Sequence, residues 1–121
     1  MILLKRAYDR ATRADGERFL VERLWPRGIR KRALPLEGWL KDIAPSTELR
    51  KWFNHDPAKW KQFQRRYRTE LKTSPQIWEA LVQKARRGTI TLVYSSHDVD
   101  RNNAVVLKDF LEEKLSHAKA A

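Results

Sequence analysis

The chain contains no cysteine. That absence excludes disulfide staples, thiolate metal sites and a cysteine nucleophile together. Glycine is scarce too: the four present are all isolated, so no glycine-rich loop exists to cradle a phosphate. No apolar run approaches the ~20 residues that a membrane-spanning helix needs. The opening "MILLKRAYDR" has no basic stretch before its apolar residues and no small-residue cleavage site. It reads as a first strand and not as a signal peptide. A cytoplasmic protein with no membrane association is the expectation.

Acidic residues are also few. There are 15 Asp and Glu against 26 Lys and Arg, a formal net charge of +11. Such an excess favours anionic partners, whether phosphates, carboxylates, nucleic acid or acidic proteins, although solubility alone would account for part of it. The three histidines, His55, His97 and His117, lack the close or i, i+4 spacing of metal ligands, so neither a metal nor a cofactor is expected. Ser95, His97 and Asp98 carry the residue types of a hydrolytic triad. Neighbours in one loop seldom face each other productively, and a triad is defined by geometry, so this reads as coincidence.

Against these absences stand 121 residues with 41% apolar content, including five Trp, four Phe and three Tyr. That is enough for one domain with one core, residues 1–121, with a tail at 117–121 expected to fray. Ile2 to Ala7 forms a first strand. Asp15-Gly16 marks a turn. Arg18 to Leu24 forms a second strand, with Phe19 and Val21 on one face and Leu20 and Leu24 on the other, as in a strand covered on both sides. The connection between the two fits either a hairpin or a tight parallel crossover.

Helices follow. Leu36 to Ile43 is expected to form a short one, ended before Pro45. Ser46 is placed to cap a turn or two running to Phe53. Asp56-Pro57 is a helix start, and Trp60, Phe63, Tyr67 and Leu71 then recur as one apolar stripe. Ser74-Pro75 repeats the start signal ahead of Ile77, Trp78, Leu81, Val82 and Ala85, with Gly88 as the stop. "TITLVY", Thr89 to Tyr94, is the best central strand in the chain. A last helix runs roughly from Asn103 to Ser116. The order implies a small α/β domain, Rossmann-like in style, with a short sheet of about three strands and helices against both faces.

Ligands of open α/β sheets sit on the loops at the carboxyl ends of the strands. Two such loops are identifiable. In the first, Pro26-Arg27-Gly28 fits a turn with Pro second and Gly fourth, lifting Arg27 clear of the strand end beside Arg23, while Glu22 points the other way. The second, Ser95 to Asn102, precedes a helix N-terminus, whose free N–H groups favour anions. Arg23 and Arg27 on one wall, with Tyr94 and Ser95 on another, would make a pocket. An Arg near a strand end also serves as an internal ion-pair partner, and Asp98 or Asp100 could serve only to cap the helix. Arg65, Arg66 and Arg68, with Arg86-Arg87 and Arg30-Lys31-Arg32, could contact phosphates or simply be a solvated face.

The runs "DGERFLVERLWPRGIRK", "PSTELRKWF", "FQRRYRTEL" and "TLVYSSHDVDRNNAVVL" resemble the YeaO-like family of small bacterial proteins, a family of unknown function. The resemblance covers nearly the whole chain, and "RLWPRG" followed by "PSTELR" is specific. It implies a compact α/β fold and supplies no reaction. Matched residue by residue, the family's distinctive polar positions are Arg23, Trp25, Arg27, Ser46, Arg50, Tyr94, Ser95 and Asn102. Members of the family read Asn-His-Ala where this chain has Asn102-Asn103-Ala104, and a broader set of related domains places Cys-His-Arg there. Both thiol and imidazole are missing at this position, which argues against catalysis by a nucleophile at this loop.

Three functions compete. The first is a pocket for a small phosphate- or carboxylate-bearing ligand, where Arg23, Arg27 and Arg50 supply charge and forked hydrogen bonds, with non-covalent catalysis left open. The second is weak, sequence-independent nucleic-acid binding. The third is a module that docks an acidic protein. The strand-end placement of Arg23 and Arg27 favours the first. The oligomeric state does not follow from the sequence.

Overall fold

The structure, a computed structural model, describes residues 1–120, with side chains through His117. Strands β1 (Ile2–Arg6), β2 (Glu17–Leu20), β3 (Gly38–Trp39) and β4 (Ile90–Tyr94) form one sheet in the order β1-β4-β2-β3. Every pairing is parallel, with Leu4 and Phe19 flanking Leu92 and Gly38 opposite Phe19. The tight parallel crossover therefore holds for the first two strands, and β4, buried at every position, is central. The turn between them uses Gly16 at φ +63, where an added Cβ would lie 2.0 Å from the Thr89 carbonyl oxygen.

Helices α1 (Thr47–Phe53), α2 (Trp60–Lys72), α3 (Pro75–Arg87) and α4 (Asn103–Ala120) follow the start signals of the sequence. Ser46 accepts the Leu49 N–H as an N-cap. Asp56 accepts the Ala58 N–H at the start of a short 3-10 turn that leads into α2. The expected frayed tail at 117–121 falls largely outside the described side chains.

The α/β class holds, with two differences of detail. The sheet has four strands, because the segment Leu36 to Ile43 is not a helix. It supplies β3 and then a 3-10 turn at Lys41–Ile43. Leu40 N–H bonds to Leu20 O and Glu37 N–H to Arg18 O, so pairing with β2 takes the backbone groups that a helix would have used internally. The second difference concerns the layers. Residues of all four α-helices share one core with Ile2, Phe19, Ile90, Leu92 and Tyr94 of the sheet and with Val21 just after β2. The opposite face is covered by the stretch from Trp25 to Leu36, whose Ile29, Leu34 and Leu36 pack on Ala7, Leu20 and Val93.

The stripe on α2 buries Phe63, Tyr67 and Leu71, with Trp60 partly buried against the same core. The Tyr67 hydroxyl donates to the Ile43 carbonyl at 2.6 Å, which satisfies a polar group that burial would otherwise penalise. Under the second face lies a buried ion cluster. Asp15 is 1% exposed, pairs with Lys5 at 2.8 Å and with Arg18, and accepts from the Thr12 backbone and hydroxyl. Burial opposes its charge, but the bonds from Lys5, Thr12 and Arg18 outweigh that and hold the carboxyl well below the usual carboxylate range.

Among the described residues no helix is long and apolar enough to cross a membrane.

Candidate functional site

An all-parallel sheet puts every strand's carboxyl end on one edge, so the segments leaving β1, β2 and β4 meet there. They enclose a cleft of about 670 Å³, within the range of small-molecule sites. Tyr8 comes from the β1 end, Glu22 to Arg27 from the β2 end, and Ser95 to His97 from the β4 end. Arg50, Lys51 and Phe53 enter from α1, and Asn102 and Asn103 from the start of α4.

Of the residues singled out from the sequence, Arg23, Trp25, Arg27, Arg50, Ser95 and Asn102 line this cleft, whereas Ser46 and Tyr94 do not. The Ser46 hydroxyl donates to Glu70 Oε2 at 2.6 Å while its backbone N–H donates to Oε1 at 2.9 Å. Its bonds are those of an N-cap tied to α2. Tyr94 is buried in the helical core, and that burial pushes its phenol upward. The last residue of β4 thus faces inward, and the cleft receives the next three instead.

The three arginines differ in their freedom. Arg23 donates through Nε to the Pro45 carbonyl at 3.0 Å and through Nη2 to the Ala44 carbonyl at 3.2 Å. It clamps the chain before α1 and presents its remaining edge. Arg27 and Arg50 are exposed. None of the three makes an ion pair with a described carboxylate, so the expected alternative of an internal salt bridge at Arg23 is not what holds it.

The turn that carries Arg27 is centred on Arg27 and Gly28. Gly28 sits at φ +78, so glycine fills the third turn position, where positive φ is required, and not the fourth. The turn is braced from both sides. Trp25 donates its indole N–H to Ile29 O at 2.6 Å, and Tyr8 donates its hydroxyl to Arg27 O at 2.9 Å. Trp25 also meets Trp39 edge to face at 5.3 Å.

Across the cleft the loop after β4 is equally fixed. Asp98 accepts from the backbone of Asp100 and Arg101 and pairs with Arg101. Those backbone bonds, against some desolvation, lower its carboxyl. Asn102 accepts the Val105 N–H and donates to Asp98 O, so Asn102 caps α4 and Asp98 holds the loop before it. The helix N-terminus expected to attract an anion already has this protein cap. Asn103 donates to Val21 O at 2.7 Å, which ties α4 to the end of β2.

Strand alternation puts Glu22 on the far side, whereas the structure turns it into the cleft. Pairing of β2 ends with Val21 N–H on Val93 O, so alternation no longer governs the next residue. Glu22 Oε1 accepts the Ser95 N–H at 3.2 Å. Burial pushes its carboxyl up to about 7, with the Ser95 N–H and the Arg50 charge pulling the other way. The cleft therefore combines a carboxyl that titrates near neutrality with unpaired guanidinium groups, the kind of perturbed group that clusters at functional sites. A carboxylate closing the apolar run Phe19-Leu20-Val21 is the sequence signal for it.

His97 is drawn to Arg6, whose Nη2 lies 3.3 Å from Nδ1, and no bond joins it to a hydroxyl or a carboxylate among the described residues. Among those residues no cluster of three or more His, Cys, Asp or Glu is placed to hold a metal.

Comparisons with known proteins place the chain. A family model described as "Inactive DUF488-N3 subclade" matches residues 1–121. The chain is 44% identical over 110 residues to the Uncharacterized protein YeaO of Escherichia coli, covering 91% of this chain and 96% of that one. It is 39% identical over 110 residues to the Uncharacterized protein Rv3073c of Mycobacterium tuberculosis, covering 91% of this chain and 92% of the relative. No solved structure gives a significant match. The chain belongs to the YeaO-like family, within the inactive DUF488-N3 subclade.

Proposed function

We propose that the strand-end cleft binds a small anionic ligand, phosphate- or carboxylate-bearing, in a cytoplasmic setting. The observation that carries this reading is the gathering of Arg23, Arg27 and Arg50 around one concavity without an ion-pair partner for any of them. Burying guanidinium groups against other side chains would call for carboxylates. Leaving them open at a cleft offers forked donors to a planar or tetrahedral oxyanion. The family description "inactive" and the lack of a thiol and an imidazole at Asn102-Asn103 both support a binding role and argue against covalent catalysis.

Thermal denaturation with inorganic phosphate, citrate and nucleoside monophosphates at fixed salt tests it. At least one anion should raise Tm in the parent, since a ligand that binds only the folded state stabilises it by mass action. Arg50→Ala should weaken that anion by about tenfold, the worth of one charge-assisted bond. An unchanged response in both Arg50→Ala and Arg27→Ala would sink the reading.

A second reading rests on Arg65, Arg66, Arg86 and Arg87, all exposed, in a chain of charge +11. Such a surface supports weak, salt-sensitive nucleic-acid binding without sequence preference. Docking of an acidic partner would draw on the same charge.

A further inference from the structure

A cleft that holds only an anion has no use for a carboxylate in its wall, yet Glu22 is there beside Arg23, Arg27 and Arg50. Its position is fixed by the Ser95 N–H at 3.2 Å. Among the described residues no Lys, Arg or His comes within ion-pair distance of either of its oxygens. Arg23 has committed Nε and Nη2 to the Pro45 and Ala44 carbonyls. Arg50 pulls on the Glu22 charge from α1 without closing on it. The carboxyl and the guanidinium thus face a shared space that neither fills.

Other groups around Glu22 do not neutralise it. Tyr67 approaches from α2, but its hydroxyl is committed to Ile43 O. His97, on the loop after β4, lines the cleft and is drawn to Arg6. From α4 comes Asn103, an uncharged amide that donates to Val21 O.

A ligand that is only an anion meets repulsion from Glu22. A ligand that also carries a hydrogen-bond donor meets a charge-assisted bond there instead, so one residue both attracts and rejects. Three guanidinium groups and Lys51 outweigh a single carboxylate, which favours a doubly charged anion. Resting on the anion-binding reading above, we propose that Glu22 is the specificity residue of the cleft. It selects a phosphate ester that carries an amine or hydroxyl close to its phosphate, and it disfavours a phosphate ester that lacks one.

The test is calorimetric titration of methyl phosphate, glycerol phosphate and phosphoethanolamine at about pH 8, where all three phosphates are doubly charged and Glu22 is mostly ionised. Glu22→Gln keeps an oxygen to accept the Ser95 N–H and removes the charge. In the parent, the two donor-bearing esters should bind more tightly than methyl phosphate. Glu22→Gln should tighten methyl phosphate by about threefold and weaken phosphoethanolamine by about tenfold, opposite signs that a merely structural role cannot produce. Weakening of glycerol phosphate alone would assign a hydroxyl ligand, and of phosphoethanolamine alone an amine ligand.

A uniform change, or none, across the three esters in Glu22→Gln overturns the inference. If Arg50→Ala still weakens all three in that case, the anion site stands without the selectivity. If Arg50→Ala and Arg27→Ala change nothing while the parent binds, the anion reading and the inference fall together. A parent that binds none of the three esters overturns the inference, and the anion reading falls with it only if phosphate, citrate and nucleoside monophosphates also leave Tm unchanged.

Discussion

The Ser95 backbone N–H donates to the Glu22 carboxylate across 3.2 Å, joining the segments that leave two neighbouring strands, β4 and β2. This bond fixes a titratable group in the cleft wall, and it has a measurable consequence. Burial pushes the Glu22 carboxyl up to about 7, whereas an unfolded Glu titrates near ~4.3. Between those values the folded chain holds the proton more tightly than the unfolded one, so this group's contribution falls as pH rises through the window and levels off above it. Glu22→Gln should therefore gain about 2 kcal/mol relative to the parent on going from about pH 4 to about pH 8, after allowing for solvent in the open cleft. Urea denaturation of both proteins at the two pH values measures it. A parent and variant whose difference does not change with pH would contradict the raised carboxyl.

Asp15 works in the opposite direction. Its charge is held by Lys5, Thr12 and Arg18, so its folded-state pKa is lowered. The stability this contributes is present above about pH 4, where an unfolded Asp ionises, and is lost as pH falls below that. Asp15→Asn should cost about 3–5 kcal/mol at neutral pH, because it leaves Arg18 buried without a counter-charge. The variant should also lose less stability than the parent on acidification. Thermal melts of both from neutral to acid pH check the two parts together.

Phe63 lies under the cleft and in the core at once. It is 1% exposed and stacks on Phe53 with ring centroids 4.2 Å apart. Phe63→Ala should cost about 3–5 kcal/mol by lost burial and the cavity left behind. Denaturant unfolding reads the loss, and a cost below about 1 kcal/mol would mean that the aromatic stripe of α2 is not core.

Two glycines with positive φ should respond very differently to alanine. At Gly28, φ is +78 and nothing lies within 4 Å of an added Cβ, so only backbone preference is lost, about 1 kcal/mol. At Gly16 the Cβ would meet the Thr89 carbonyl oxygen at 2.0 Å, and the backbone joining β2 to β4 must move. That cost should be on the order of 3 kcal/mol or more. Equal Tm losses for the two variants would refute the close approach.

Oligonucleotide binding should be weak and steeply salt-dependent. Each phosphate neutralised on a duplex adds about −0.9 to the slope of log K against log salt. Replacing Arg65 and Arg66 with Ala should flatten that slope and leave small-anion binding unchanged. Fluorescence anisotropy across a salt series checks this. Tight binding that survives physiological salt and disappears in the double variant would make nucleic acid the main ligand.

Much of this protein was legible without coordinates. The apolar stripe on α2, the Ser46 and Asp56 starts, the central strand at Ile90–Tyr94 and the strand-end location of the cleft follow from local rules, periodicity, capping and burial on both faces, which act over a few residues. The absence of a thiol and the excess of positive charge are likewise properties of composition. What only the tertiary structure decided depends on partners far along the chain. Leu36 to Ile43 becomes β3 and a 3-10 turn because β2 offers it hydrogen-bond partners some twenty residues upstream. Leu24 is 61% exposed, and Glu22 enters the cleft, because pairing of β2 with β4 stops at Val21 and the rule of alternation stops with it. Ser46 leaves the site because Glu70, on another helix, takes its hydroxyl. Alternation and capping are written in neighbouring residues. Where a strand stops pairing, and which distant group claims a side chain, is decided when the sheet and helices close on one another.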